Sequence, residues 1–135
     1  MHALPYLFFE GRCEEALAFY GQALRAETRA VMRYRESPVP AQVPPGGEDK
    51  VMHAEFKVGE TVIFCSDGMC SNKTAFGGFG LALAAKDAAE AGRFFAALSE
   101  GGEVRMPLSP TFFSPAFGMV SDRFGLMWMV MAGQG

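Results

Sequence analysis

Ala16-Leu17-Ala18-Phe19-Tyr20 returns, roughly 75 residues further on, as Ala91-Gly92-Arg93-Phe94-Phe95. Each stretch lies inside an amphipathic run. Around the first, Cys13, Ala16, Leu17, Tyr20 and Leu24 recur at three- and four-residue steps, which puts them on one face of a helix. Glu14 and Glu15 fall in its first turn, where carboxylates suit the positive end of the helix dipole. Around the second, Ala91, Phe94, Phe95 and Leu98 form the apolar face. Asp87 and Glu90 stand before it in capping-box spacing, and Gly101-Gly102 stops it. Repetition of this kind means that one supersecondary unit has been used twice.

Working outward, each helix follows a short apolar strand, Leu4 to Phe9 or Phe79 to Ala84. Each leaves into a strand that begins with an acid, Glu27 to Arg35 or Glu103 to Leu108. In the first half, Val51–Val58 and Glu60–Ser66 are joined at Gly59-Glu60 and read as a hairpin. In the second, Phe112–Val120 and Leu126–Met131 form the closing pair. Asp122 and Gly125 make the tight turn between them, because glycine takes a positive φ freely, and Trp128 then packs into the sheet.

The order is strand, helix, strand, strand, strand, written twice. It predicts an α+β domain over residues 1–135, with repeat halves at about 1–67 and 78–135. The two βαβββ repeats are expected to form a curved mixed sheet around a cleft. Residues two apart on a strand would look into that cleft together. Ser37–Lys50, with Pro38, Pro40, Pro44, Pro45, Gly46 and Gly47, reads as a loop: a flap beside a pocket or a tolerated surface insertion. Asp67–Gly78 is a second irregular stretch, dividing the halves.

Composition narrows the function classes. Half of the residues are hydrophobic and 20% are charged, as in ordinary globular domains. A net charge of −3 with no basic cluster argues against a grip on nucleic acid or an anionic membrane surface. No apolar run is long enough to span a bilayer, and the start lacks the pattern of a signal peptide, so a cytoplasmic protein is expected. Cys13, Cys65 and Cys70 form no Cys-x-x-Cys pair, which speaks against a disulfide framework or a cysteine zinc site. Cys13 in a first helical turn reads either as a favoured thiolate or as a small buried residue. Thirteen Phe and nine Met point to a soft aromatic interior, in a core, a pocket or a dimer surface.

Asp122-Arg123-Phe124-Gly125-Leu126-Met127-Trp128 resembles the Asp-x-x-Gly-x-x-Trp signature that precedes the last strand of vicinal oxygen chelate proteins. Leu4 to Gly11, Cys13 with Ala16 to Tyr20, Met52-His53-Ala54-Glu55 and Phe64-Cys65-Ser66-Asp67 resemble the PhnB-like branch of that glyoxalase/bleomycin-resistance/dioxygenase superfamily. The resemblance covers essentially the whole chain. It implies homodimers, and in metal-dependent members two His, Gln or Glu ligands from each half around a divalent ion. Carried over, those positions are Pro5, a residue at or near Phe64, Leu81 and Met129. None is a hard-metal ligand, so no metal or other cofactor is expected. Some relatives carry a demethylubiquinone methyltransferase label. No glycine-rich loop here has the strand-to-helix context of a Rossmann-type methyl-donor site, which argues against that activity.

Two functional readings remain. In the first, the protein binds a small organic ligand in an aromatic cleft lined by Tyr6, Phe8, Phe64, Ser66, Asp67, Phe112, Phe117 and Trp128. In the second it is an enzyme of lyase, isomerase or metal-assisted type. His53 and Glu55, two apart on one strand, would serve as acid–base pair or metal ligands, with Asp67 as a third group. His53 and Glu55 also fit a plain structural role.

Overall fold

The computed structural model describes residues 1–39 and 43–133. Its contacts divide the chain into Met1–Thr74 and Ala75–Gly135. Each unit is a four-stranded sheet with one helix on one face, and the two have the same topology.

The first unit runs β1 (Tyr6–Phe8), α1 (Cys13–Leu24), β2 (Glu27–Arg33), a short 3-10 turn at Tyr34–Glu36, β3 (Val51–Val58) and β4 (Thr61–Ser66). Its strand order is β1-β4-β3-β2, with β1 parallel to β4 and the other pairs antiparallel. The second unit runs β5 (Gly80–Ala85), α2 (Ala88–Ser99), β6 (Glu103–Ser109), β7 (Phe117–Ser121) and β8 (Met127–Ala132). Its order is β5-β8-β7-β6, with β5 parallel to β8. The βαβββ order read from the repeat is therefore observed twice.

The helices form where the apolar steps put them. Cys13, Ala16, Leu17, Tyr20 and Leu24 are all buried on α1. Tyr20 stacks on Phe56 of β3 at 5.5 Å, which fixes the inward face of the first sheet as that of Leu7, Ala54, Phe56, Ile63 and Cys65. On α2, Asp87 caps the start by accepting from the Glu90 amide at 2.8 Å. The Glu90 carboxylate reaches back to the Lys86 amide, one residue before the position a capping box requires. Ala91, Phe95 and Leu98 are buried under it, while Phe94 is half-buried.

The second hairpin is held by one carboxylate. Asp122 is buried; its Oδ1 accepts from the amides of Phe124 (2.9 Å) and Leu126 (3.1 Å), and its Oδ2 from the Trp128 indole N–H (2.9 Å). Gly125 sits at φ +85 in the turn, as its place after Asp122 predicts. The Asp-x-x-Gly-x-x-Trp pattern is thus a local bolt. The aspartate satisfies the turn's amides, and the same group anchors the indole 1% exposed in the core.

Several boundaries differ from the sequence reading. β2 ends at Arg33, because Tyr34 turns into the 3-10 segment and buries its ring, its hydroxyl donating to the Gly68 carbonyl. Residues 112–116 are not strand. Thr111 and Ser114 bond to each other's backbone and side chain, closing a turn, and the strand starts only at Phe117. In the Ser37–Lys50 loop, Arg33 Nη1 and the Arg35 amide bond to the Asp49 and Glu48 carbonyls. Pro40 lies outside the described residues.

Asp122→Ala removes three charge-assisted hydrogen bonds from a buried turn and strands their donors. It is expected to cost about 3 kcal/mol, read by urea unfolding followed through Trp128 fluorescence.

Candidate functional site

Side chains alternate along the first sheet, and the face away from α1 collects the chemistry. Tyr6 and Phe8 project from β1; they are 37% and 52% exposed, whereas Leu7 between them is 1% exposed. Phe64 of β4 stands beside Tyr6, and Glu55 of β3 beside Phe64. His53 lies two residues before Glu55, with Met32 of β2 as its neighbour.

These groups touch. The Tyr6 hydroxyl is 3.0 Å from His53 Nδ1. The Tyr6 ring centre lies 4.9 Å from that of Phe8, 5.6 Å from His53 and 6.1 Å from Phe64, and the His53 ring is 5.2 Å from Phe64. Burial pushes the Tyr6 phenol above its ordinary pKa, because its anion would lose hydration. The phenol and the imidazole are within hydrogen-bond distance, and the imidazole tautomer sets which of them donates. The face offers three rings, an imidazole and a carboxylate, partly open to solvent.

Sequence reasoning placed Tyr6, Phe8, Phe64, His53 and Glu55 on one surface, and the structure brings all five together. The other positions differ. Asp67 is 1% exposed; its Oδ1 accepts from the Gly11 and Cys13 amides (2.9 and 2.8 Å) and its Oδ2 from the Val51 amide (2.7 Å). It is a buried structural acceptor, not a third group beside His53. Ser66 does share the face, opposite Phe8, and hydrogen-bonds the Tyr6 phenol, but it is itself buried, its Oγ also accepting from the Gly68 amide at 3.1 Å. Trp128 is in the core of the second unit, as its bond to Asp122 requires, and Phe117 is 8% exposed. Phe112 is fully exposed on the loop before β7 and meets Phe113 edge-on at 5.1 Å, so it lines no wall there.

Cys13 and Cys65 are both fully buried, with sulfurs 3.5 Å apart. The hydrogen bond to Cys65, and then burial, push the Cys13 thiol far above its ordinary value. The favoured-thiolate reading fails for that reason; the helix dipole is outweighed by an apolar setting.

The four positions carried over as metal ligands separate by side-chain direction. Phe64 and Met129 are on the faces away from the helices. Leu81 pairs with Trp128 and shares its helix-covered face, while Ala82 is the neighbour of Met129. Pro5 precedes β1, its carbonyl accepting from the Phe64 amide at 2.9 Å. A phenyl ring, a thioether and two aliphatic groups do not suit a hard divalent ion. Among the described residues, no group of three or more His, Cys, Asp or Glu is arranged to hold one.

A concavity of about 610 Å³ lies elsewhere, by the start of α1, lined by Arg12, Glu14, Arg33, Arg35, Asp49 and Lys50 among others. Its charges are matched: Arg12 with Glu15 (2.8 Å), Arg33 with Glu14 (2.6 Å), Arg35 with Asp49 (2.9 Å). Lys50 donates to the Gly11 carbonyl at 3.0 Å. This is a laced charged surface, and the aromatic face is the better candidate.

A family model described as 3-demethylubiquinone-9 3-methyltransferase matches residues 1–131. The chain belongs to this family, the PhnB-like branch of the glyoxalase superfamily. YjdN from Escherichia coli (strain K12) is 34% identical over 134 residues, spanning 93% of this chain and 91% of that protein. The crystal structure of PA1353 from Pseudomonas aeruginosa is 40% identical and superposes with a TM-score of 0.85 over 100% of this chain and 99% of its own. A PhnB protein from Bacillus cereus gives 28% identity and a TM-score of 0.81, covering 98% and 100% of the two chains. The fosfomycin resistance protein FosX from Listeria monocytogenes, at 12% identity and TM-score 0.65, covering 99% and 93%, shares the fold alone. Among the described residues, no helix of this PhnB-like chain is long and apolar enough to cross a membrane.

Burial raises the pKa of both Tyr6 and Tyr34. Their contribution to stability is full below the ordinary tyrosine value of about 10 and is lost as pH rises through the raised values. An ultraviolet titration of the folded chain should show late-titrating phenols, and Tyr6→Phe should remove one of them. Normal titration of every tyrosine would contradict the burial argument.

Proposed function

We propose that this PhnB-like protein binds a small organic ligand against the aromatic face of its first sheet, without the divalent ion of metal-dependent relatives. The observation that carries the reading is the cluster of Tyr6, Phe8 and Phe64 around a hydrogen-bonded His53, half-open to solvent. Apolar walls with a few convergent polar groups are what small-molecule sites are made of. The donor set argues for the metal-free form, since one imidazole and one carboxylate are too few for a tight site.

A second reading is favoured by one contact. The Tyr6–His53 hydrogen bond at 3.0 Å is the kind that holds an imidazole in one tautomer, leaving Nε2 to exchange a proton with a ligand. On that reading the protein is an enzyme, with Glu55 as the second group. Neither reading draws on the methyltransferase description. Each sheet here is mostly antiparallel, and the doubly wound parallel sheet that serves such chemistry elsewhere is not among the described elements.

The proposal includes two copies of the chain in a cytoplasmic homodimer. Edge strands β2 and β6 support the pairing, because they leave Val31, Met32, Val104 and Met106 between 40% and 45% exposed. A dimer is expected by light scattering, and a monomer at all concentrations would overturn that part.

Screening small aromatic and oxoacid compounds by thermal shift tests the binding reading. A true ligand at about a hundred times its Kd adds roughly 2.7 kcal/mol of stability. Phe8→Ala and His53→Gln should keep the unliganded melting midpoint near wild type and abolish the ligand's shift. A shift that survives both substitutions would place the site elsewhere.

A further inference from the structure

The aromatic face carries a charge preference as well as a shape. The rings of Phe8 and Phe64 lie 4.9 and 6.1 Å from that of Tyr6. Each ring has a negative face by its quadrupole. Tyr6 adds a polar contact to them: its hydroxyl lies 3.0 Å from His53 Nδ1. Glu55, the neighbour of Phe64 across the β3–β4 pair, adds a formal negative charge to the same face. None of the ion pairs among the described residues uses Glu55. It is half-buried, so its field is less screened than that of a surface carboxylate.

Rings flanking an unpaired carboxylate are the chemistry that holds an organic cation, above all a quaternary or tertiary ammonium group, which is large, weakly hydrated and cannot use a single hydrogen-bond partner well. Lys57 is the opposing feature. It lies two residues past Glu55 and pairs with Val62, one row away from the rings of Tyr6 and Phe64 and on the far side of Glu55 from His53. Among the described residues, the row that pairs Tyr6, Phe64, Glu55 and Ala30 carries no Lys or Arg. We infer that the ligand of this face is an organic cation whose ammonium group rests among Tyr6, Phe8 and Phe64 beside Glu55. The inference rests on the reading that this face is the ligand site.

Titration calorimetry of the full-length chain tests it with four probes: choline, its neutral isostere 3,3-dimethylbutan-1-ol, benzyltrimethylammonium and benzoate. The two cations should bind, and choline at least about tenfold more tightly than the alcohol, the factor that about 1.4 kcal/mol of cation–π and carboxylate attraction supplies. Glu55→Gln should weaken choline about fivefold at an unchanged melting midpoint, whereas Glu60→Gln, at the exposed hairpin turn, should not. Equal binding of choline and the alcohol, or tighter binding of benzoate, would overturn the cation inference while leaving the face as a ligand site. Binding by none of the four would also overturn it, and the face reading would then be judged by the Phe8→Ala and His53→Gln thermal shifts.

Discussion

The first unit depends on what the Asp67 carboxylate does with its lone pairs. Three backbone amides, from Gly11, Cys13 and Val51, converge on it at 2.7–2.9 Å, from segments that are far apart in sequence. It ties the β1–α1 turn and the start of β3 to the end of β4. A buried carboxylate is tolerable only when its charge is met by donors, and here the donors are the amides of the turn and of a strand start, which would otherwise be stranded. The bond has a consequence for the surface opposite. It sets β1 beside β4 with Leu7 inward, which leaves Tyr6 and Phe8 outward, next to Phe64 and within reach of His53.

The second unit uses the same device at another point. Asp122 holds a hairpin turn and an indole rather than a strand end. Two buried acids therefore serve the backbone in both halves, and neither is available to a ligand. The same topology then carries two unlike faces. In the first sheet the face away from the helix is aromatic, with one imidazole and one carboxylate. In the second, the row across β5, β8, β7 and β6 reads Ala82, Met129, Met119 and Met106. The fold supplies two equivalent surfaces, and side chains alone make one of them aromatic and partly polar while the other is soft and apolar.

Much of this was legible in the residues. The three- and four-residue steps after Cys13 and after Asp87 mark real helices, and the period-two steps of Tyr6 and Phe8, and of His53 and Glu55, identify one face correctly. What failed did so for physical reasons. Asp67 looks like a candidate ligand because a sequence shows an acid but not the amides that surround it. Trp128 looks like a cleft wall because an aromatic residue after a turn reads alike whether it points in or out; its bond to Asp122 decides. Phe112 lies in a run that is apolar enough for a strand, yet the Thr111–Ser114 turn keeps the chain from pairing there. Leu81 pairs with Trp128 and Ala82 with Met129, and a sequence does not show which of two adjacent strand residues faces the helix. The Tyr6–His53 bond has no sequence signal at all, since it joins residues 47 apart.

The central claim is that the aromatic face of the first sheet, and not the charged concavity by α1, receives the ligand. Mapping chemical-shift changes on isotope-labelled protein, as a hit compound is titrated in, tests this most directly. The account predicts the largest changes at Tyr6, Phe8, His53, Glu55 and Phe64, with the Asp67 amide cluster unmoved. Changes centred on Arg12, Arg33, Arg35 and Lys50 would contradict it.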